Sequence, residues 1–238
     1  MDVYFSPWTH PPFESFHLLY DIPDPLLTDL TPLRNKENTS DNWLQCHAFL
    51  GATKNTFIAR APFDIHFAIH KDFGKINLGT RPEYFDLITL KPSTLTNSYT
   101  LSVYANWLFW SDEPLEMETM APFNHGSRYA GYPVQGAFDI NKWFRPIELA
   151  IQLYEGTEVV KIDKGDPVFY VKFKTNKTIN LKRFYLNKTL FTFTQDCLNY
   201  KRFDKGRSLN YLYSLFKGKG LDKAISKEIK ANIIENQH

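Results

Sequence analysis

Residues 121–173 read APFNHGSRYAGYPVQGAFDINKWFRPIELAIQLYEGTEVVKIDKGDPVFYVKF, and this stretch decides the fold. A turn at Gly136-Ala137-Phe138-Asp139 leads to a predicted strand over 147–153. Residues 154–157 follow, where Gly156 suits a hairpin loop, and a second strand is predicted over 158–162. Lys164-Gly165-Asp166-Pro167 then makes a tight turn into a third strand, 168–173. Pro167 has no amide to donate, so it belongs at the strand's first position. Working outward, 56–60 reads as a strand, and 63–70 (FDIHFAIH) alternates apolar and polar residues as a half-buried strand does. Residues 99–110 (YTLSVYANWLFW) carry large apolar side chains on both faces, which predicts a central strand covered on both sides. Residues 115–120 form one more strand. No strand–helix–strand alternation intervenes, so the sheets are expected to be antiparallel. The fold class is mainly β, an antiparallel sandwich or barrel.

The flanks differ in character. Residues 1–45 hold Pro7, Pro11, Pro12, Pro23, Pro25 and Pro32 and read as an irregular extension, with a short strand at 17–20 and a polar loop at 34–42. Residues 46–206 are the β domain. Residues 207–238 are a helical appendage. Ser208 caps a helix there, Gly218 and Gly220 interrupt it, and an amphipathic stripe of Leu221, Ala224, Ile225, Ile229 and Ile233 follows.

The chain has 238 residues with an aromatic fraction of 16%, which favours a strand-rich core. No apolar run reaches the ~20 residues needed to span a bilayer, so no membrane partner is expected. The first residues lack the basic and apolar regions of a signal peptide, which points to a cytoplasmic setting. Cys46 and Cys197 are too few for a disulfide framework and are expected as buried free thiols. Net charge is +2 but divided: residues 1–160 carry 11 Lys/Arg against 19 Asp/Glu, and residues 161–238 carry 17 against 7. A basic C-terminal part suits an acidic partner surface, a nucleic acid or a neighbouring subunit.

Two groups of residues are candidates for chemistry. Asn124, His125 and Arg128 lie in a polar, glycine-containing turn that can offer donors to an anion. Asp139, Trp143 and Arg145 lie together downstream. Asp139 is the one candidate catalytic carboxylate, as a general base on water, although an Asp at a strand end more often holds its own turn. Arg145 is placed to pair with it. His66 and His70 sit on a strand, where four residues span about 13 Å, too far for a shared metal. No metal or cofactor is expected. Phosphate-loop, nucleophile-elbow and zinc-site patterns are absent from the sequence.

Two resemblances enter on these residues. Residues 44–70, Trp107 with Glu113-Pro114-Leu115, Gly136 with Asp139, Trp143-Phe144 with Pro146, and Lys164-Gly165 with Pro167 resemble an uncharacterised family of marine tailed phages with bacterial relatives. That resemblance implies a phage-encoded protein working in the cytoplasm of a bacterial host, with virion association as a further option. Over 121–173 alone the chain is similar to trimeric dUTPases and dCTP deaminases. Gly136, Phe138 and Asp139 match their second motif, and Lys164-Gly165-Asp166 follows at the right distance. This implies a β-clip-like barrel and a sugar-contacting, water-positioning Asp139. The arginine and serine of their first motif are not in place, and no glycine-rich closing arm occurs in 174–238.

The functional expectation is a non-enzymatic accessory or virion-associated binding and assembly protein, acting as a homo-oligomer. The alternatives are a nucleotide-binding or nucleotide-hydrolysing protein, and nucleic-acid binding through the basic C-terminal part.

Overall fold

The computed structural model describes residues 1–9, 14–36, 43–69, 76–77, 88–93, 97–125, 130–203 and 206–234. In chain order the strands are β1 (Asp2–Trp8), β2 (Asp24–Pro25), β3 (Thr56–Arg60), β4 (Ile65–Ile69), β5 (Ile76–Asn77), β6 (Ile88–Pro92), β7 (Tyr99–Trp110), β8 (Glu116–Met120), β9 (Gly131–Pro133), β10 (Gly136–Asp139), β11 (Ile147–Leu153), β12 (Val159–Ile162), β13 (Pro167–Phe173) and β14 (Asn180–Arg183). The helices are α1 (Leu26–Lys36), α2 (His47–Thr53), α3 (Lys188–Phe203), α4 (Leu209–Gly218) and α5 (Leu221–Ala231).

One sheet runs β14-β1-β7-β11-β9, with β6 also on β7. A second runs β10-β8-β13-β3-β2, and a third β12-β4-β5. The two larger sheets face each other as a sandwich. Trp107 of β7 meets Phe169 of β13 edge-on at 4.9 Å, and Phe109 meets Phe173 at 6.0 Å. No barrel closes among the described strands, so the antiparallel sandwich is the form adopted.

Alternation along β7 explains the layering. Leu101, Val103, Trp107 and Phe109 point into the sandwich, while Leu108 and Trp110 point out into a second core against α3, α4 and α5. Its C-terminal half is therefore covered on both faces, as the sequence predicts. Tyr104, in the other half, is exposed. The outer face of β3 and β13 is covered by α1, through Leu26 and Leu30 against Ile58 and Tyr170. Each such side chain contributes about 1.5–3 kcal/mol on burial.

Several expectations are corrected, among them the turn read at 136–139, which is strand β10 paired with β8. Asp2–Trp8, inside the segment read as irregular, is a strand of the largest sheet, and 26–36 is a helix. Val3 and Phe5 enter the sandwich core while Tyr4 and Trp8 enter the helical core. The short strand expected over 17–20 is instead part of a 3-10 helix, Glu14–Leu19. Helix also begins earlier than expected, at Lys188. The residues 154–157 do turn, with Gly156 at φ 77°, yet they join no hairpin: β11 pairs with β7 and β9, whereas β12 pairs with β4. One strand pair, β1 with β14, is parallel. Cys46 is exposed, at the start of α2, while Cys197 is buried as expected. Ser208 caps α4 by accepting the Tyr211 amide. Of the polar loop read at 34–42, residues 34–36 end α1 and 37–42 lie outside the described residues.

Candidate functional site

Asp139 ends β10 and holds its own turn. Its backbone carbonyl accepts the Lys142 amide at 3.1 Å, and its carboxylate pairs with Lys142 Nζ at 3.0 Å. Arg145 does not pair with it. The guanidinium lies over the Phe138 ring, 5.4 Å from its centroid. Trp143 is buried against Tyr213 and Phe216 of α4, so it belongs to the helical core. Asp139, Trp143 and Arg145 thus do converge, but on a crevice of 10 Å³, room for about one water.

Asn124 and His125 lie elsewhere. Asp139 is paired with Glu116 at the start of β8, while the 3-10 turn Phe123–His125 comes after its last residue, Met120. Glu116 to Met120 spans about 13 Å of strand. The six candidate residues therefore do not build one site; Arg128 lies outside the described residues.

His125 joins a chain of polar contacts instead. Its Nδ1 is 2.7 Å from the Tyr170 hydroxyl, and its Nε2 is 3.2 Å from the Asp29 carboxylate. Arg60 donates to the same Asp29 oxygen at 2.7 Å and to Asp24 at 3.3 Å. The Asn124 amide donates to the Tyr170 oxygen at 3.2 Å. One protonation pattern satisfies all of these: Nε2–H donates to Asp29, and Tyr170 O–H donates to a neutral Nδ1. Burial pushes the Tyr170 hydroxyl up to about 12, so it stays protonated and can play that part. The chain ties α1 and the 3-10 turn to the outer face of β3 and β13. Tyr170 is fully buried, so no reactant reaches it.

A second polar group forms where β4 begins and β12 ends. Asp64, His66 and Asp163 place one potential ligand atom each within 4.8 Å of the others. His66 Nε2 lies 2.7 Å from Asp163, whose other oxygen is 3.6 Å from Lys161 Nζ, and Asp64 accepts the Lys164 amide at 2.7 Å. These groups could offer three ligands to a divalent ion. Their present contacts lock the 163–166 turn onto β4. His70 lies outside the described residues.

The ligand-sized space is in none of these places. A cavity of 640 Å³ opens where the sandwich meets the helical layer. Its walls are the end of β1 (Ser6, Pro7) with Thr9, His17 of the 3-10 helix, Arg183 at the end of β14, the segment 184–187, and the first turns of α3. The walls are braced from behind. Trp8 stacks on Phe191 at 5.5 Å and donates its Nε1–H to Thr194 at 2.8 Å. Asn187 caps α3 by accepting the Leu190 amide at 3.0 Å, and its amide group donates to Glu228 of α5 at 2.7 Å. Arg183 fixes the far wall by donating to the carbonyls of Tyr20 at 3.1 Å and His17 at 2.6 Å.

Sequence reasoning missed this site because its walls come from both flanks of the β domain. The legible signals were the alternation in DVYFSPW and the Asn187 cap three residues ahead of Leu190. No family model, curated protein or solved structure matches the chain.

Proposed function

We propose that this chain is a non-enzymatic accessory binding protein that holds a small organic molecule between its sandwich and its helical layer. The observation that carries the proposal is the 640 Å³ cavity, within the range of small-molecule sites and lined by apolar side chains with a few polar groups. Binding rather than turnover is proposed because the wall gives its Ser6 and Thr192 hydroxyls to the backbone carbonyls of Pro7 and Lys188. Its hydroxyls from Ser6, Thr9 and Thr192 stand beside basic residues and amides, with no carboxylate among the described lining residues. The proposal does not run through Asp139, whose carboxylate is held by Lys142. The phage setting implied by the block resemblance is kept as the context of the proposal.

A thermal-shift screen of the full chain against small organic fragments tests it, with Thr192→Trp as a variant that fills the mouth. A ligand at a hundred times its Kd stabilises by about 2.7 kcal/mol, a rise of several degrees for a domain this size. Shifts that vanish in Thr192→Trp are expected. A screen without shifts, or with shifts the variant leaves intact, removes the proposal.

A further inference from the structure

Resting on the cavity as a binding site, we infer that its ligand is an organic anion with a flat apolar body: a carboxylate, sulfonate or phosphate monoester, not a metal-bound polyphosphate. The first argument is charge. The wall carries His17, Arg183 and Lys188, and none of the described lining residues is acidic. Arg183 is half-buried and gives its two terminal nitrogens to backbone carbonyls. Those bonds engage its two terminal nitrogens without neutralising its charge, and Asp21 acts on it without forming an ion pair. Lys188 is the first residue of α3, a 16-residue helix whose positive dipole end lies there, and while Asn187 caps the Leu190 amide, the amides of Lys188 and Thr189 have no intrahelical acceptor. Its ammonium has no partner among the described residues. Two cations, neither of them in an ion pair among the described residues, and a helix start thus share one wall.

The second argument is shape. Pro7, Phe184, Leu186, Phe191 and Ile234 supply apolar surface alongside the polar groups. The His17 and Tyr185 rings meet edge-on at 6.0 Å, at an interplanar angle of 80°, on the same wall. A planar body can lie against such rings. The third argument excludes a competing class. A magnesium-bound triphosphate needs carboxylates for its ion, and the described wall offers none.

The test is isothermal titration of the full chain with four probes of one aromatic body: 2-naphthoate, 2-naphthyl phosphate, the neutral 2-naphthamide and the cation 2-naphthylmethylammonium. Either anion is expected to bind at least tenfold more tightly than the amide, and the ammonium most weakly. Which anion is preferred distinguishes a carboxylate ligand from a phosphate ester. Lys188→Glu is expected to weaken the anions at least tenfold while leaving the amide within twofold. Lys188 is exposed at a helix start, so the variant should fold, and its unfolding midpoint checks that. If the amide binds as tightly as the anions, or Lys188→Glu leaves anion binding unchanged, the charge inference is overturned and the cavity reading stands. If none of the four binds at millimolar concentration, the cavity reading falls and takes this inference with it.

Discussion

Trp110 is the residue through which the helical layer is bolted to the sandwich, and this can be tested by a double-mutant cycle. Its indole is buried against Phe144 and Phe216, and its Nε1–H donates to Ser226 Oγ of α5 at 3.0 Å. The Ser226 hydroxyl in turn hydrogen-bonds the Asp112 carboxylate. Trp110→Phe shrinks the ring, losing roughly 40 Å² of buried apolar surface, or about 1 kcal/mol. It also removes the donor to Ser226, worth about another 1 kcal/mol. Ser226→Ala removes the acceptor and leaves the indole N–H buried without a partner, at about 1–2 kcal/mol. In the double variant the shared bond is lost only once, so the two costs should fall short of additive by about 1 kcal/mol. Urea unfolding followed by circular dichroism measures each corner. With a slope near ~3 kcal/mol per M, Trp110→Phe should lower the midpoint by about 0.7 M. Additivity within ~0.5 kcal/mol would refute the coupling through that bond.

Three further outcomes are expected. Cys46 is exposed, and the nearby backbone amides of Phe49 and Ala48 at the start of α2 lower its thiol, whereas burial pushes Cys197 up to about 12; iodoacetamide should modify Cys46 alone in the folded protein, and modification of both at equal rates would contradict the placement. Burial would raise the Asp112 carboxyl, but hydrogen bonds from Lys230 and Ser226 outweigh it and hold it below its ordinary value of 3.8. A carboxylate lowered in the folded state adds stability above its unfolded pKa and loses it as pH falls through the folded one. Asp112→Asn should therefore cost about 0.5–1 kcal/mol at pH 7, given the partial exposure of the pair, and progressively less as pH falls below 3.8 through the lowered folded-state pKa. An equal cost at neutral and at low pH in urea titrations would count against the ion pair. A Cβ at Gly131 would lie 2.3 Å from the Gln152 carbonyl oxygen of β11, so Gly131→Ala should lower stability by about 1–3 kcal/mol; a neutral result in thermal unfolding would contradict the close approach of β9.

What the sequence disclosed and what it hid follow one physical line. Two strands were legible to the residue: Ile147–Leu153 carries alternation that only one register buries, and Tyr99–Trp110 carries large apolar side chains on both faces. Ser208 was legible as a cap because capping is local chemistry. Pairing between distant segments was not. Gly156 turns the chain as a hairpin glycine would, but the choice of β4 rather than β11 as partner for β12 is made by Val160 and Ile162 packing in the core. The helix 26–36 was masked by Pro32 and the run of prolines around it; its Leu26 and Leu30 become a helical stripe only against Ile58 and Tyr170. For the site, Asp139 and Trp143 were found as neighbours, yet their environment was not, since the α4 rings that surround Trp143 lie some 70 residues away in sequence. The cavity walls were invisible for the same reason: Ser6 and Lys188 meet only once the sheet is complete.

The parallel pairing of β1 with β14 sets a schedule for biosynthesis. Asp2 is opposite Asn180 and Phe5 opposite Arg183, so β1 waits for a strand made nearly 180 residues later. Until then Val3, Phe5 and Trp8 have β7 as a neighbour at best, and the helices that cover Tyr4 and Trp8 have not been made. At about 5–20 residues per second, that leaves a nascent apolar strand waiting for roughly ten seconds or more. A chain built this way completes its largest sheet only once residues 180–183 have been made, and its yield in a cell should respond to chaperone supply and to synthesis at lower temperature.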